Sequence, residues 1–162
     1  MKVLTDKMQQ QINPTPVPAT IASLRALEPP VNPNRLKDTR YAPTELTVFE
    51  VTGVLVYIKS EDDEDYHLVI RDDSGRTMIV ESPADNCVGK GKLAADVRAA
   101  RKAIDDNVGP VTLGFFDPIH GQTGVAPNGI ELHPLLSIDF HPDKSIGALK
   151  KRLRKKKEED RD

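Results

Sequence analysis

The sequence predicts a small all-β barrel with one helix, of the OB-fold type, with an extended Pro-rich arm before it and a basic amphipathic helix or tail after it. Three observations lead there. Runs rich in β-branched and aromatic residues recur at 46–58, 66–71 and 77–81, separated by turn residues. One helical period follows at 93–108, and strand character returns at 111–116 and 130–140. The order β-β-β-α-β-β is that of a five-stranded Greek-key barrel whose helix lies between strands three and four.

The elements follow in chain order. Residues 1–43 carry Pro14, Pro16, Pro18, Pro29, Pro30, Pro33 and Pro43 of the chain's 13 prolines. Each proline removes a backbone donor and disfavours helix at the residue before it, so this arm is expected to be largely extended or disordered. Inside it, residues 20–28 can form two helical turns with Ile21, Leu24 and Leu27 along one side. So short a helix needs a surface to dock on. The barrel is expected over 44–142. Its first run is interrupted at Gly53, as by a bulge or bend. The acidic residues Glu61, Asp62, Asp63, Glu64 and Asp65 connect to the second run. There Leu68 and Ile70 fall on one face, and His67, Val69 and Arg71 on the other. Residues 72–75 are a turn signal of the Asp-Asp-Ser-Gly kind. Leu93, Val97, Ala100, Ile104 and Val108 draw a single stripe on the helix, stopped by Asn107, Gly109 and Pro110. Pro134 bends the last run or marks it as an edge.

Composition narrows the function classes. The formal net charge of −2 hides an asymmetry. Residues 143–162 are basic, with Lys150, Lys151, Arg152, Arg154, Lys155, Lys156 and Lys157 in one block, whereas the preceding residues are net acidic. That block is a candidate nucleic-acid or anion-binding element, a contact for an acidic protein partner, or a solvated helix end. No apolar run is long enough to cross a membrane as a helix. The first residues lack the apolar stretch of a secretory signal, so the expected location is cytoplasmic. The single cysteine, Cys87, reads as a free thiol in a loop. A Gly-rich phosphate loop and a dinucleotide fingerprint are both absent from the sequence, which argues against nucleotide hydrolysis.

The densest chemistry lies at 117–133. Asp117, His120, Gln122, Asn128, Glu131 and His133 are candidate ligand-binding residues on the loop and strand start that would border an OB groove. Glu131 and His133 alternate with Ile130 and Leu132, so the two polar side chains are expected to share the outer face. His120, Glu131 and His133 are candidates for a divalent metal site or for general acid–base work, although their spacing matches no established metal motif. The competing reading gives Asp117, Thr123 and Asn128 the task of satisfying loop backbone and makes Glu131 and His133 cross-strand contacts. The acidic run at 61–65 lacks the Gly and ligand spacing of an EF-hand. It would also repel phosphate backbones, and Tyr57 and Tyr66 are the only outward stacking candidates. Arg71 and Arg76 fit no motif of the staphylococcal-type thermonucleases.

The motifs YHLVI at 66–70, TMIVE at 77–81 and HGQTGVAPNGIELHP at 120–134 resemble a family of small bacterial OB-fold-like proteins. That resemblance covers roughly residues 45–140 and implies a genuine domain type, some of whose members look secreted; it carries no activity. The expected function is a non-catalytic binding module, with nucleic-acid contact through the basic tail. The alternatives are a metal-assisted or His-dependent hydrolase using the 117–133 loop, and a scaffold that binds protein partners through arm and tail.

Overall fold

The computed structural model describes residues 4–31, 40–108 and 123–140. Among these residues the chain forms a mixed α/β fold with two open sheets and two α-helices, not a closed barrel. The strands are β1 (Asn13–Ala19), β2 (Thr47–Val51), β3 (Val54–Ser60), β4 (Tyr66–Arg71), β5 (Thr77–Ser82) and β6 (Glu131–Leu132). The helices are α1 (Ile21–Arg25) and α2 (Ala94–Val108).

The barrel expectation fails at Gly53. The run at 46–58 was expected to be one bent strand, but it divides there, and its halves enter different sheets. A Cβ on Gly53 would lie 3.1 Å from the Ile70 Cβ, so the chain passes tightly over β4 at the break. The first half, β2, pairs in parallel with β1, from Asn13↔Thr47 to Ala19↔Val51. The three prolines of β1 do not prevent this, because they fall on alternate positions. In an extended strand successive N–H groups point to opposite sides, so Pro14, Pro16 and Pro18 occupy one side and leave the Val17 and Ala19 donors on the other, while the Thr15 N–H donates to Asn13 Oδ1. A strand so built can only be an edge, and β1 pairs on one side alone.

The second half opens a four-stranded sheet of order β3-β4-β5-β6. β3, β4 and β5 form an antiparallel meander, and β6 adds in parallel to β5 through Ile79↔Glu131 and Val80↔Leu132. The last strand, expected over 130–140, is confined to two residues. The strand expected at 111–116 and the basic tail lie outside the described residues.

One face of this sheet is apolar. Leu68 and Val80 pack with Tyr66 and Ile104 of α2, while Met78 packs with Ile21 and Leu24 of α1. The stripe read from the sequence is the buried side of α2: Leu93, Val97, Ala100 and Ile104 are all buried. α1 is only five residues long, and tertiary contacts hold it. Thr20 and Ser23 cap each other's backbone reciprocally at 3.0 Å. Ile21 and Leu24 are 1% and 2% exposed, each contributing about 1.5–3 kcal/mol through burial. Further upstream, Leu4 and Ile12 share a cluster with Val88, Leu93 and Val97.

A buried ion pair ties residues 4–12 to the approach of β2. Arg40 donates through Nε and Nη2 to the two oxygens of Asp6, at 3.0 and 2.6 Å, and through Nη1 to the Glu45 carbonyl. Burial pushes the Asp6 carboxyl up, but the guanidinium and the Met8 N–H outweigh it and hold the group below its usual range. On the far side of the molecule Arg101 of α2 lies 3.5 Å over the Tyr66 ring and donates to the Ser82 and Glu64 carbonyls. It thereby fastens α2 to the β3–β4 connection. Tyr66 is therefore buried, with its hydroxyl donating to Asp105 at 2.8 Å, and does not offer the outward stacking surface expected of it.

Candidate functional site

The opposite face of the four-stranded sheet carries charge. Strand alternation turns His67 away from Leu68, and Glu81 away from Val80. The registers Lys59↔His67 and His67↔Glu81 then place these side chains side by side. Continuing the parallel β5–β6 register by one residue brings His133 beside Glu81. Three strands and the residue that follows β6 thus contribute one row: Lys59, His67, Glu81, His133.

The contacts along the row are ionic. Glu81 lies between two imidazoles, with Oε1 3.5 Å from His67 Nδ1 and Oε2 3.1 Å from His133 Nε2. Their side chains are 10%, 4% and 6% exposed, respectively. The β3–β4 connection closes one end of the row. Glu61 stands 3.3 Å from Lys59 and 4.0 Å from His67 Nδ1, and Asp65 is 4.0 Å from His133 Nε2. Asp65 is held there by the Ala84 N–H, which donates to its Oδ1 at 2.8 Å. The Tyr57 ring meets His67 edge-on, with centroids 6.3 Å apart.

A strap, residues 123–126, passes over β4 at His67 and Val69. The His67 Nε2 lies 3.1 Å from the Thr123 carbonyl. The strap can come so close because of Gly124, whose φ is +90° and whose absent Cβ would sit 2.4 Å from the Val69 Cγ1. The adjacent Glu81 carboxylate is the main cause that raises the His67 pKa; burial opposes it, and the Thr123 carbonyl and the charge of Glu61 add to the rise.

Of the sequence-derived candidates, the structure brings His133 into this row. Glu131 lies on the same face by alternation, one register step away beside Ile79. Asn128 goes elsewhere. Its Nδ2 donates to the Leu24 and Leu27 carbonyls at 3.0 and 2.9 Å, so it satisfies the end of α1. Asp117, His120 and Gln122 lie outside the described residues, as do Lys150, Lys151, Arg152, Arg154, Lys155, Lys156 and Lys157. Among the described residues no group of three or more His, Cys, Asp or Glu is arranged to hold a metal ion. Arg76 is paired with Asp72 across the β4–β5 turn, and Cys87 is exposed.

The sequence reading missed Glu81, and it placed His67 on one face of its strand without a role. Their signal was present: in YHLVI and TMIVE each polar residue is out of phase with the apolar alternation. Pairing these two out-of-phase positions required the register. Two open depressions, of about 550 and 700 Å³, lie away from the row. One is bordered by Pro18, Glu50 and Asp72, the other by Leu4, Gln9 and Lys92. No described helix is long and apolar enough to cross a membrane. Comparison with family models, with curated proteins and with solved structures finds no match to this chain.

Proposed function

We propose that this chain is a non-catalytic binding module whose ligand contacts lie on the loop 117–133, with the ionic row serving as the loop's anchor. The observation that carries the reading is the environment of His67. One ring nitrogen is taken up by the Thr123 carbonyl, the other faces Glu81, and the side chain is buried. A general base must reach a substrate proton, and an imidazole engaged on both sides is spent on holding the strap. In this reading the basic tail adds electrostatic affinity for an anionic partner, nucleic acid among them.

The test uses the full-length protein, with and without added zinc or magnesium, against phosphodiester and ester substrates. The expected result is no turnover that Glu81→Gln and His133→Ala variants lose; turnover lost in both would overturn the reading. Titration with a single-stranded oligonucleotide at low salt, before and after removal of 143–162, checks the tail. Equal binding by the two forms, or none by either, removes the tail from the proposal.

A second reading, the hydrolase, draws on one contact. His133 Nε2 lies 3.1 Å from Glu81 Oε2, which brings together the two groups a base and its orienting carboxylate require, at ion-pair distance and without hydrogen-bond alignment. The same turnover assay decides between them.

A further inference from the structure

We infer that a single proton on His67 fastens the strap 123–126 to the sheet, so that the strap is held at low pH and released as the pH rises. The inference goes beyond the binding reading and does not depend on what the loop binds.

The argument starts from acceptors. The Thr123 carbonyl can only accept, so His67 Nε2, at 3.1 Å, must carry a hydrogen to bond it. Nδ1, on the other side of the ring, faces the Glu81 carboxylate at 3.5 Å and that of Glu61 at 4.0 Å. These too can only accept while ionised. A neutral imidazole has one hydrogen for two such neighbours. Placed on Nε2, it leaves a lone pair against two carboxylates. Placed on Nδ1, it leaves a lone pair against the Thr123 carbonyl. The imidazolium alone satisfies both sides.

The surrounding charges favour that state. β3 presents Lys59, already paired with Glu61, and the uncharged edge of Tyr57. The β3–β4 connection presents Glu61 and Asp65, and β5 presents Glu81. The β6 side presents His133 and, one step along, Glu131. The strap residues Thr123, Gly124, Val125 and Ala126 contribute no ionisable side chain. Among the described residues, Glu61, Glu81 and Asp65 therefore stand within 4.0 Å of His67 or His133, with Lys59 as the one lysine in the row. The rise in the His67 pKa agrees with this arrangement.

When the proton leaves, one contact must be given up. Nδ1 meets the carboxylates at ion-pair distance rather than in an aligned hydrogen bond, and a lone pair turned toward two negative charges is repelled more strongly than one turned toward a neutral carbonyl. The remaining hydrogen therefore stays on Nδ1, toward Glu81, and the Thr123 carbonyl loses its donor. Release then begins at Thr123 and Gly124, within the motif that carries the candidate loop.

The experiment is amide hydrogen exchange on the full-length protein from about pH 6 to about pH 9, each rate divided by its intrinsic chemical rate. Protection at 124–126 is expected to fall with the same midpoint as the His67 ring titration followed by NMR. The fall is about tenfold for every pH unit by which strap closure itself raises the ring titration, since Glu81 and Glu61 stay beside His67 in the open state. Amides of β5 and α2 serve as the reference and keep their protection. Glu81→Gln, which preserves shape and removes the carboxylate charge, is expected to move both midpoints down together. Unchanged strap protection while the ring titrates would overturn the inference, as would a strap transition that ignores the Glu81→Gln shift of the ring. The wild-type measurement stands even where the variant fails to fold.

Discussion

The two faces of the four-stranded sheet are both covered, but by opposite means. On one, Leu68, Val80 and Met78 are buried against α1 and α2. On the other, His67, Glu81 and His133 are buried, and His67 is held to a strap that contributes no charge of its own. The first face is held by the removal of apolar surface from water, which is non-directional and insensitive to pH. The second depends on hydrogen positions and ionisation states, so it is specific in geometry and conditional on pH. The difference teaches where to look for function. The apolar face explains why the chain folds; the ionic face, through His67 and the Thr123 carbonyl, is where we infer that pH reaches the strap.

The sharpest way to separate the faces is to damage them one at a time. Met78→Ala empties the fully buried junction of α1 with the sheet, and should cost about 2–5 kcal/mol in denaturant unfolding, equally at pH 6 and pH 8.5. Gly124→Ala acts on the strap. Its Cβ would meet Val69 at 2.4 Å from a backbone at φ +90°, so a loss of about 1–3 kcal/mol is expected, with the largest amide shifts in NMR spectra at 123–126. Glu81→Gln removes the shared charge and should cost about 1 kcal/mol, more at pH 6 than at pH 8.5. Equal costs at both pH values would erase the distinction between the faces. At the small end, Val56→Thr on the exposed stretch of β3 should change stability by less than about 0.5 kcal/mol.

The wild-type protein should show the same asymmetry. The folded-state pKa of His67 is raised above its ordinary value of 6.5. Its contribution to stability is therefore complete below the unfolded pKa and is lost as the pH rises through the folded one. Unfolding free energy measured across that window should decline on the alkaline side, and the His67→Gln variant should lack that part of the decline.

Much of the apolar face was legible in the sequence. The spacing of Leu93, Val97, Ala100 and Ile104 marks the buried side of α2, and the alternation in YHLVI separates the two faces of β4 correctly. The short helix at α1, with its need for a docking surface, was legible too. The barrel was not a correct reading, because the partner of β2 is β1, a Pro-bearing strand remote in sequence. Alternate prolines look like a disordered arm until one asks which side of the strand they occupy. The ionic row escaped for a related reason. Periodicity within one strand shows that His67 and Glu81 are out of phase, whereas only cross-strand register shows that they touch. His133 was singled out from its neighbours in sequence; its partner in space, Glu81, lies on a different strand and was not.

The most direct test of the ionic face is ¹⁵N NMR of the histidine rings in the full-length protein across neutral pH. The account predicts that His67 carries hydrogens on both ring nitrogens at pH 6.5 and titrates above that value. A His67 ring that is already neutral at pH 6.5, or whose Nε2 lacks a hydrogen there, would contradict it.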